Sequence, residues 1–186
     1  MGHGDSSRHG LIREEDSLLL IIDVQERLFP VMAEKEKLLD NILRLARFTR
    51  ILGLPVIVTE QEKLGATLSP IREELAEVEP IPKVQFDCLG CGVFLEKLKA
   101  MNRKTLIMTG IEAHICVAQT ALSAVSEYNV HVVSDAVSSR SKQNWQIAME
   151  RMRQADATMN STEMVIYEIV KKAGTDVFRE VLKLVK

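Results

Sequence analysis

The chain has 186 residues, of which 46% are hydrophobic and 27% are charged, and this composition excludes disordered and fibrous proteins. The length predicts a single domain over residues 1–186, with a core that buries roughly two thirds of the surface of the unfolded chain. The net charge is −2 and the basic residues are scattered along the predicted helices, so we expect no nucleic-acid partner.

The predicted elements of the first half begin with a strand that is almost entirely apolar. Residues 17–24 read SLLLIIDV, a run typical of a strand buried on both faces of a parallel sheet, and it carries the carboxylate of Asp23 near its end. Apolar residues then recur on one helical face from Lys35 to about Leu52, and Gly53 is a natural stop for that helix. The elements that follow are a strand at 55–60 (PVIVTE), a long loop from 61 to 81 and one short helix inside that loop at 71–76.

Strands and helices alternate regularly in the second half of the chain. A short strand is predicted after Lys83, and the remaining elements are a helix at 93–101, a strand at 105–110, a helix at 115–127, a strand at 130–135, a helix at 143–155, a strand at 157–161 and two closing helices. This alternation indicates right-handed βαβ units. We therefore predict an α/β fold, a three-layer Rossmann-like domain with a mostly parallel, doubly wound sheet flanked by helices.

No segment of the sequence has the features of a membrane span or of an export signal. The longest apolar runs, such as 18–22, are far shorter than the ~20 residues that a membrane helix needs, and the polar start MGHGDSSRHG lacks the apolar core of a signal peptide. The three cysteines are an odd number, which favours reduced thiols. We expect a cytoplasmic protein without a membrane partner, and any disordered segment within residues 1–16.

Several residues capable of chemistry lie at the predicted strand ends. Ligands of doubly wound sheets bind beyond the carboxyl ends of the strands, where the strand order reverses. If the order is 3-2-1-4-5-6, Asp23 at the end of the first strand faces the loop that follows Gly110 on the fourth. Cys116 comes soon after Gly110, near the start of a predicted helix.

Cys116 has two routes to becoming a nucleophile. The unpaired amides at a helix N-terminus lower the pKa of a thiol, and a nearby lysine would lower it further. An aspartate within reach could instead act as a general base, which takes the thiol proton during attack and returns it to the leaving group. A set of Asp, Lys and Cys supplies a base, a charge stabiliser and a nucleophile, and the sequence leaves both routes open.

Three segments resemble the motifs of isochorismatase-like hydrolases, and in particular those of the cysteine hydrolases related to nicotinamidase and N-carbamoylsarcosine amidohydrolase. LLLIIDVQERLFP is similar to the first-strand motif of this family, PKVQFDCLG to its lysine motif, and TGIEAHICVAQTAL to its cysteine elbow. The similarity continues through SDAVSSRS and the following helix, and it covers the chain from about Leu18 to Ala173. The resemblance implies a catalytic triad of Asp23, Lys83 and Cys116.

The same resemblance implies an oxyanion hole and an assembly. The family's non-proline cis peptide would fall at Ile111–Glu112, and the backbone N–H groups of Glu112 and Cys116 would be the donors to the oxyanion. Family members often form dimers or larger rings, so a homo-oligomer is expected.

The sequence departs from two branches of the family. After the second strand, where nicotinamidases carry a metal-binding aspartate and histidines, this chain reads VTEQEKLGAT, so we expect no metal and no other cofactor. Isochorismatases proper lack the nucleophilic cysteine and hydrolyse a vinyl ether, whereas this chain has Cys116. We therefore predict a metal-independent cysteine hydrolase that acts on a small amide or carbamoyl-type substrate through a covalent acyl-enzyme.

Five residues near the predicted strand ends are candidates for lining the substrate, namely Phe29, Gln61, Phe86, Ala113 and His114. For the three loop residues among them, ordinary packing or exposure to water is an equal alternative. His114 also invites a Cys–His interpretation because it lies two residues before Cys116, but the resemblance assigns the base to Asp23.

Cys88 and Cys91 form a CxxC motif, which can indicate a redox pair or half of a zinc site. The sequence contains no second CxxC or paired histidines that would complete a zinc site, so structural or incidental thiols are favoured. Both follow Lys83 closely, and a disulfide between them would disturb the pocket.

Two rival functions follow from the same sequence. The first is a catalytically silent scaffold or binding protein that keeps the isochorismatase-like fold. The second is a nucleotide-binding Rossmann domain, but no GxGxxG follows the first strand.

Overall fold

The computed structural model of the chain describes residues 10–185 and contains one six-stranded sheet in which every neighbouring pair is parallel. The strand order is β3-β2-β1-β4-β5-β6, so the predicted α/β fold class is confirmed and the condition on which Asp23 faces the loop after Gly110 is met. The strands are β1 (Ser17–Ile22), β2 (Val56–Gln61), β3 (Ile81–Lys83), β4 (Thr105–Ile111), β5 (Asn129–Ser138) and β6 (Thr158–Asn160).

The helices cover both faces of this sheet. They are α1 (Lys35–Leu52), α2 (Ser69–Glu74), α3 (Gly92–Ala100), α4 (Ala118–Ala124), α5 (Lys142–Gln154), α6 (Thr162–Val170) and α7 (Asp176–Val185). Helix α1 ends as the sequence predicts, because Gly53 adopts the left-handed conformation (φ 68°) in which its N–H can bond back to Thr49.

The first strand divides its side chains between two apolar clusters, one on each face of the sheet. Leu18, Leu20 and Ile22 pack with α3, α4 and α5, whereas Leu19 and Ile21 pack with α1, α2, α6 and α7. This alternation is the period of two that a strand imposes on its side chains. Because β1 is buried on both faces, Asp23, which follows its carboxyl end, lies inside the protein.

Two element boundaries near the predicted site differ from the sequence predictions. The third strand ends at Lys83 instead of following it, because residues 81–83 pair with the end of β2 and place Lys83 opposite Gln61. Pro82 fits there because β3 is an edge strand. A π-helical turn, Ala113–Val117, precedes α4, so Cys116 lies on that turn and not at the start of the predicted α-helix.

Residues 10–16 lead into β1, whereas residues 1–9 of the predicted disordered segment lie outside the described residues. The side chain of Ile12 is buried, and its N–H donates to the carboxylate of Glu168. Within residues 10–185, no helix is long and apolar enough to cross a membrane.

Candidate active site

Asp23 follows directly after β1 and is fully buried at the carboxyl end of the sheet. It adopts a left-handed backbone conformation (φ 54°), which aspartate tolerates better than most residues. The neighbouring strand comes unusually close, because a Cβ at Gly110 would lie 2.1 Å from the carbonyl oxygen of Ile22. Only glycine fits at this position, and its absence of a side chain lets the ends of β1 and β4 meet.

Lys83 forms a completely buried ion pair with Asp23. Its Nζ lies 2.7 Å from Asp23 Oδ2, and neither side chain is exposed to solvent. The ammonium also donates to Gln61 Oε1 at 2.8 Å and to the carbonyl oxygen of Gln85 at 3.1 Å. Burial is the largest single effect and acts to lower the pKa of Lys83, but the charge and hydrogen bond of Asp23 together with the charges of Cys88 and Cys116 outweigh it, so the pKa is raised and the lysine carries its charge.

Thr59 is a further contact of this aspartate, which the motifs did not reveal. Its Oγ1 donates to Asp23 Oδ1 at 2.7 Å, and its backbone carbonyl accepts the N–H of Asp23. Each carboxylate oxygen of Asp23 thus has its own donor, Thr59 at Oδ1 and Lys83 at Oδ2. The sheet register explains this contact, because β2 pairs Thr59 with Ile22, the residue before Asp23.

Cys116 lies beside this ion pair, close enough for the charges of Asp23 and Lys83 to act on its thiol. Burial raises the pKa of the Cys116 thiol, and the negative charge of Asp23 raises it further, although the charge of Lys83 opposes the shift. A helix N-terminus was expected to lower the pKa of Cys116, but in the structure this pKa is raised. The resting thiol is protonated, which favours the route in which Asp23 takes the proton during attack.

Cys88 is a second thiol at the same site, although the sequence favoured a structural or incidental role for it. It is completely buried on a short 3-10 helix, Cys88–Gly90, and its N–H donates to Thr120 Oγ1 at 3.0 Å. Burial raises the pKa of Cys88 to about 12, whereas the charge of Lys83 and hydrogen bonds with Thr120 and Thr59 act in the opposite direction. All three cysteines of the chain are free.

The predicted cis peptide Ile111–Glu112 is present, so this expectation is confirmed. Glu112, on its C-terminal side, turns a buried carboxylate toward Arg140, whose Nε lies 3.0 Å from Glu112 Oε1. His114 is held on the same side, with Nδ1 2.9 Å from Ser139 Oγ and Nε2 3.3 Å from Asn144 Nδ2. These contacts tie the turn that carries Cys116 to the loop after β5 and to the first turn of α5.

The predicted substrate-lining residues have different degrees of exposure. Phe86 is 51% exposed, Phe29 and His114 are partly buried, and Ala113 is fully buried in the apolar cluster that also contains Leu18, Leu20 and Ile22. Gln61 is occupied on both sides of its amide, since Oε1 accepts from Lys83 and Nε2 donates to the carbonyl of Val84. Of the five, Gln61 therefore has the direct link to the ion pair.

Access to the Cys116 thiol is narrow, since this residue is only 6% exposed. A cavity of about 360 Å³ lies between the N-terminal ends of α1 and α5, but its lining includes none of Asp23, Lys83 and Cys116. Among residues 10–185, no group of three or more His, Cys, Asp and Glu side chains is arranged to hold a metal ion.

The chain is similar to known proteins over nearly its whole length. Residues 17–164 match the model of the isochorismatase domain. Isochorismatase domain-containing protein 2 of Danio rerio is 36% identical over 179 residues, which are 94% of this chain and 89% of that protein. A secreted isochorismatase effector of Phytophthora sojae is 34% identical over 188 residues, which are 97% of this chain and 90% of the effector. Among solved structures, the MAR1 ribonuclease of Caenorhabditis elegans is 36% identical, with a TM-score of 0.88 and coverage of 95% of this chain and 92% of that one.

Proposed function

The chain belongs to the isochorismatase family, which has a hydrolase fold, and we propose that it is a metal-independent cysteine hydrolase acting on a small amide or carbamoyl-type substrate. The observation that carries the proposal is the buried Asp23–Lys83 ion pair, with the Cys116 thiol close enough for both charges to act on it. A buried charge pair is costly to desolvate, and it lies at the strand ends where such folds bind ligands.

In the first half of the proposed reaction, Cys116 Sγ attacks the substrate carbonyl carbon while its proton passes to Asp23. The electrons of the C=O bond move to the oxygen, which the backbone N–H groups of Glu112 and Cys116 stabilise. The tetrahedral intermediate then collapses, the C–N bond breaks, and Asp23 returns the proton to the departing amine. A thioester on Cys116 remains.

In the second half, a water molecule attacks the thioester carbon and Asp23 takes one of its protons. The C–S bond breaks, the acid leaves, and the proton returns to Cys116, so the resting thiol is regenerated. Lys83 remains charged throughout, since its raised pKa keeps the ammonium protonated. Its role is to hold Asp23 in place and to offset the negative charge that moves between Asp23 and Cys116.

The narrow opening at Cys116 supports a small substrate, and we assign Phe29, Gln61, Phe86 and His114 to its lining, with Ala113 beneath them. No metal or other cofactor has a part in this mechanism. We also propose a cytoplasmic location, which the three free thiols support, and a homo-oligomer of two or more chains. The exposed apolar residues Val84, Phe86 and Val93 are consistent with an interface, and light scattering after size-exclusion chromatography tests it.

The test is a substrate screen with the parent protein, Cys116→Ala and the matched control Cys91→Ser. Release of ammonia or amine is measured from small primary amides and N-carbamoyl compounds, and the acyl-enzyme is sought by mass spectrometry after acid quench. We expect turnover by the parent and the control, and a loss of at least about a thousandfold in Cys116→Ala. Equal turnover by Cys116→Ala would contradict the mechanism.

Two further substrates in the same screen separate the alternatives. Cleavage of a vinyl ether by both the parent and Cys116→Ala would indicate chemistry that does not need the thiol. A short RNA is included because the relative from Caenorhabditis elegans is described as a ribonuclease, although the charge of −2 does not favour RNA here. If nothing is cleaved and Cys116 is no more reactive toward iodoacetamide than Cys91, the silent scaffold is the better explanation.

A further inference from the structure

The candidate site contains a second buried thiol, Cys88, that the proposed reaction does not use. We propose that Cys88 and Cys116 form an oxidation site, in which Cys88 captures Cys116 as an intramolecular disulfide after a peroxide has oxidised it. This inference rests on the proposed function only in requiring that Cys116 is the reactive thiol of the site.

The backbones of the two cysteines converge on one hydroxyl group. Thr120 Oγ1 accepts the N–H of Cys88 at 3.0 Å and donates to the carbonyl oxygen of Cys116 at 2.7 Å. Thr120 is itself completely buried on α4, so it holds both segments in a fixed relation. The two residues are therefore neighbours in the folded chain, although 27 positions of sequence lie between them.

Both thiols lie close enough to the Asp23–Lys83 ion pair to be affected by its charges. The negative charge of Asp23 acts on both thiols, and a charge on Cys88 would also act on Cys116, so the two side chains share one electrostatic environment. The charge of Lys83 acts favourably on the thiolate form of both. Asp23 lies close enough to Cys116 to take its proton, which the first oxidation step below requires.

Cys91 is placed differently, although it shares the CxxC motif with Cys88. Its Sγ lies 3.9 Å from the carbonyl oxygen of Pro82, and its own carbonyl accepts the N–H of Leu95 at the start of α3. The residue that would pair with Cys116 is thus Cys88 and not Cys91, which makes Cys91 a matched control.

The oxidation proceeds in two balanced steps with hydrogen peroxide as the oxidant. Cys116 passes its proton to Asp23 and attacks one peroxide oxygen, so the S–O bond forms, the O–O bond breaks, and the departing hydroxide takes the proton to become water. Cys88 then attacks the sulfur of the resulting sulfenic acid, the S–S bond forms, the S–O bond breaks, and a second water leaves with the proton of Cys88. Both thiols are oxidised, one peroxide is reduced to two waters, and the nucleophile is blocked until a dithiol reduces the bond.

The experiment treats the parent protein, Cys88→Ser and Cys91→Ser with hydrogen peroxide and maps the tryptic peptides. Cleavage after Lys83, Lys97, Lys104 and Arg140 leaves Cys88 and Cys91 on residues 84–97 and Cys116 on residues 105–140. In Cys91→Ser, a disulfide between these two peptides can join only Cys88 and Cys116. Half of each sample is reduced with dithiothreitol before alkylation, which measures the recoverable Cys116 thiol.

We expect the parent and Cys91→Ser to lose two hydrogen masses, to show the cross-link, and to recover the thiol after reduction. In Cys88→Ser we expect Cys116 to gain two or three oxygen atoms instead, with roughly tenfold less recoverable thiol. Cys88→Ala is run in parallel, and thermal unfolding verifies that each variant is folded. A cross-link through Cys91, a disulfide between chains, or equal recovery in the Cys88 variants overturns the inference.

The design separates this inference from the proposed function. If Cys116 reacts with iodoacetamide and peroxide but never cross-links to Cys88, only the oxidation site is refuted. If Cys116 reacts with neither reagent faster than Cys91 does, the reactive thiol itself is absent and the hydrolase proposal is refuted as well.

Discussion

Replacing Lys83 by methionine removes one half of a completely buried ion pair while keeping a side chain of similar length. Asp23 would then retain the hydroxyl of Thr59 as a donor but lose the ammonium 2.7 Å from its other oxygen. Removing one partner of a buried pair costs about 3–5 kcal/mol because the remaining charge is left uncompensated. For a chain of this length, that cost corresponds to a fall in melting temperature of roughly 6–20 °C.

The double variant Lys83→Met/Asp23→Asn tests whether the loss comes from the unpaired charge. Asparagine at position 23 still accepts a hydrogen bond from Thr59 but carries no charge. We expect the double variant to lose less free energy of unfolding than the sum of the two single variants, by at least about 2 kcal/mol. Lys37→Met is the matched control, since its ion pair with Glu34 is at 4.0 Å with both side chains more than 60% exposed, and its loss should stay within about 0.5 kcal/mol.

The assay is urea denaturation followed by circular dichroism at one protein concentration, at pH 7 and at pH 5. In Lys83→Met, burial of an unpaired carboxyl raises the pKa of that carboxyl in the folded state, so the folded variant binds a proton more readily than the unfolded one. Its deficit relative to the parent should therefore shrink as the pH falls from 7 to 5. Additive single losses, or a loss below about 1 kcal/mol for Lys83→Met, would refute the assignment of a buried, charged pair.

Three further outcomes are expected. Thr59→Val removes the donor to Asp23 Oδ1, which should lower kcat at least about tenfold with little change in KM. Thr59→Ser keeps a hydroxyl at this position and should retain the kcat of the parent. An unchanged kcat in the valine variant would contradict a positioning role for Thr59. Because the pKa of Cys116 is raised, its alkylation rate should still rise with pH where the rate for a thiol of the unfolded chain has already levelled off. A plateau near pH 7 would argue against a raised pKa. Gly110→Ala should lose at least about 3 kcal/mol of stability or fail to fold, since the new methyl would meet the carbonyl of Ile22 at 2.1 Å, and a melting temperature like that of the parent would show that the strands can separate there.

The sequence alone was sufficient to predict features that depend on local pattern and on rules of chain connection. The apolar run before Asp23 predicts a strand buried on both faces, Gly53 predicts the end of α1, and alternation of strands and helices predicts the parallel sheet. The family resemblance adds the cis peptide Ile111–Glu112 and singles out Asp23, Lys83 and Cys116, which lie together in the structure.

Other features of the site depend on contacts between segments that no local pattern encodes. Thr59 meets Asp23 because β2 pairs with β1 in one particular register, and Cys88 lies near Cys116 because the backbones of both residues bond to the hydroxyl of Thr120. The direction of the Cys116 pKa shift is also set by tertiary structure. A helix terminus near a thiol can be read from the chain, but the desolvation of that thiol and the position of the Asp23 charge beside it exist only once the surrounding elements have packed.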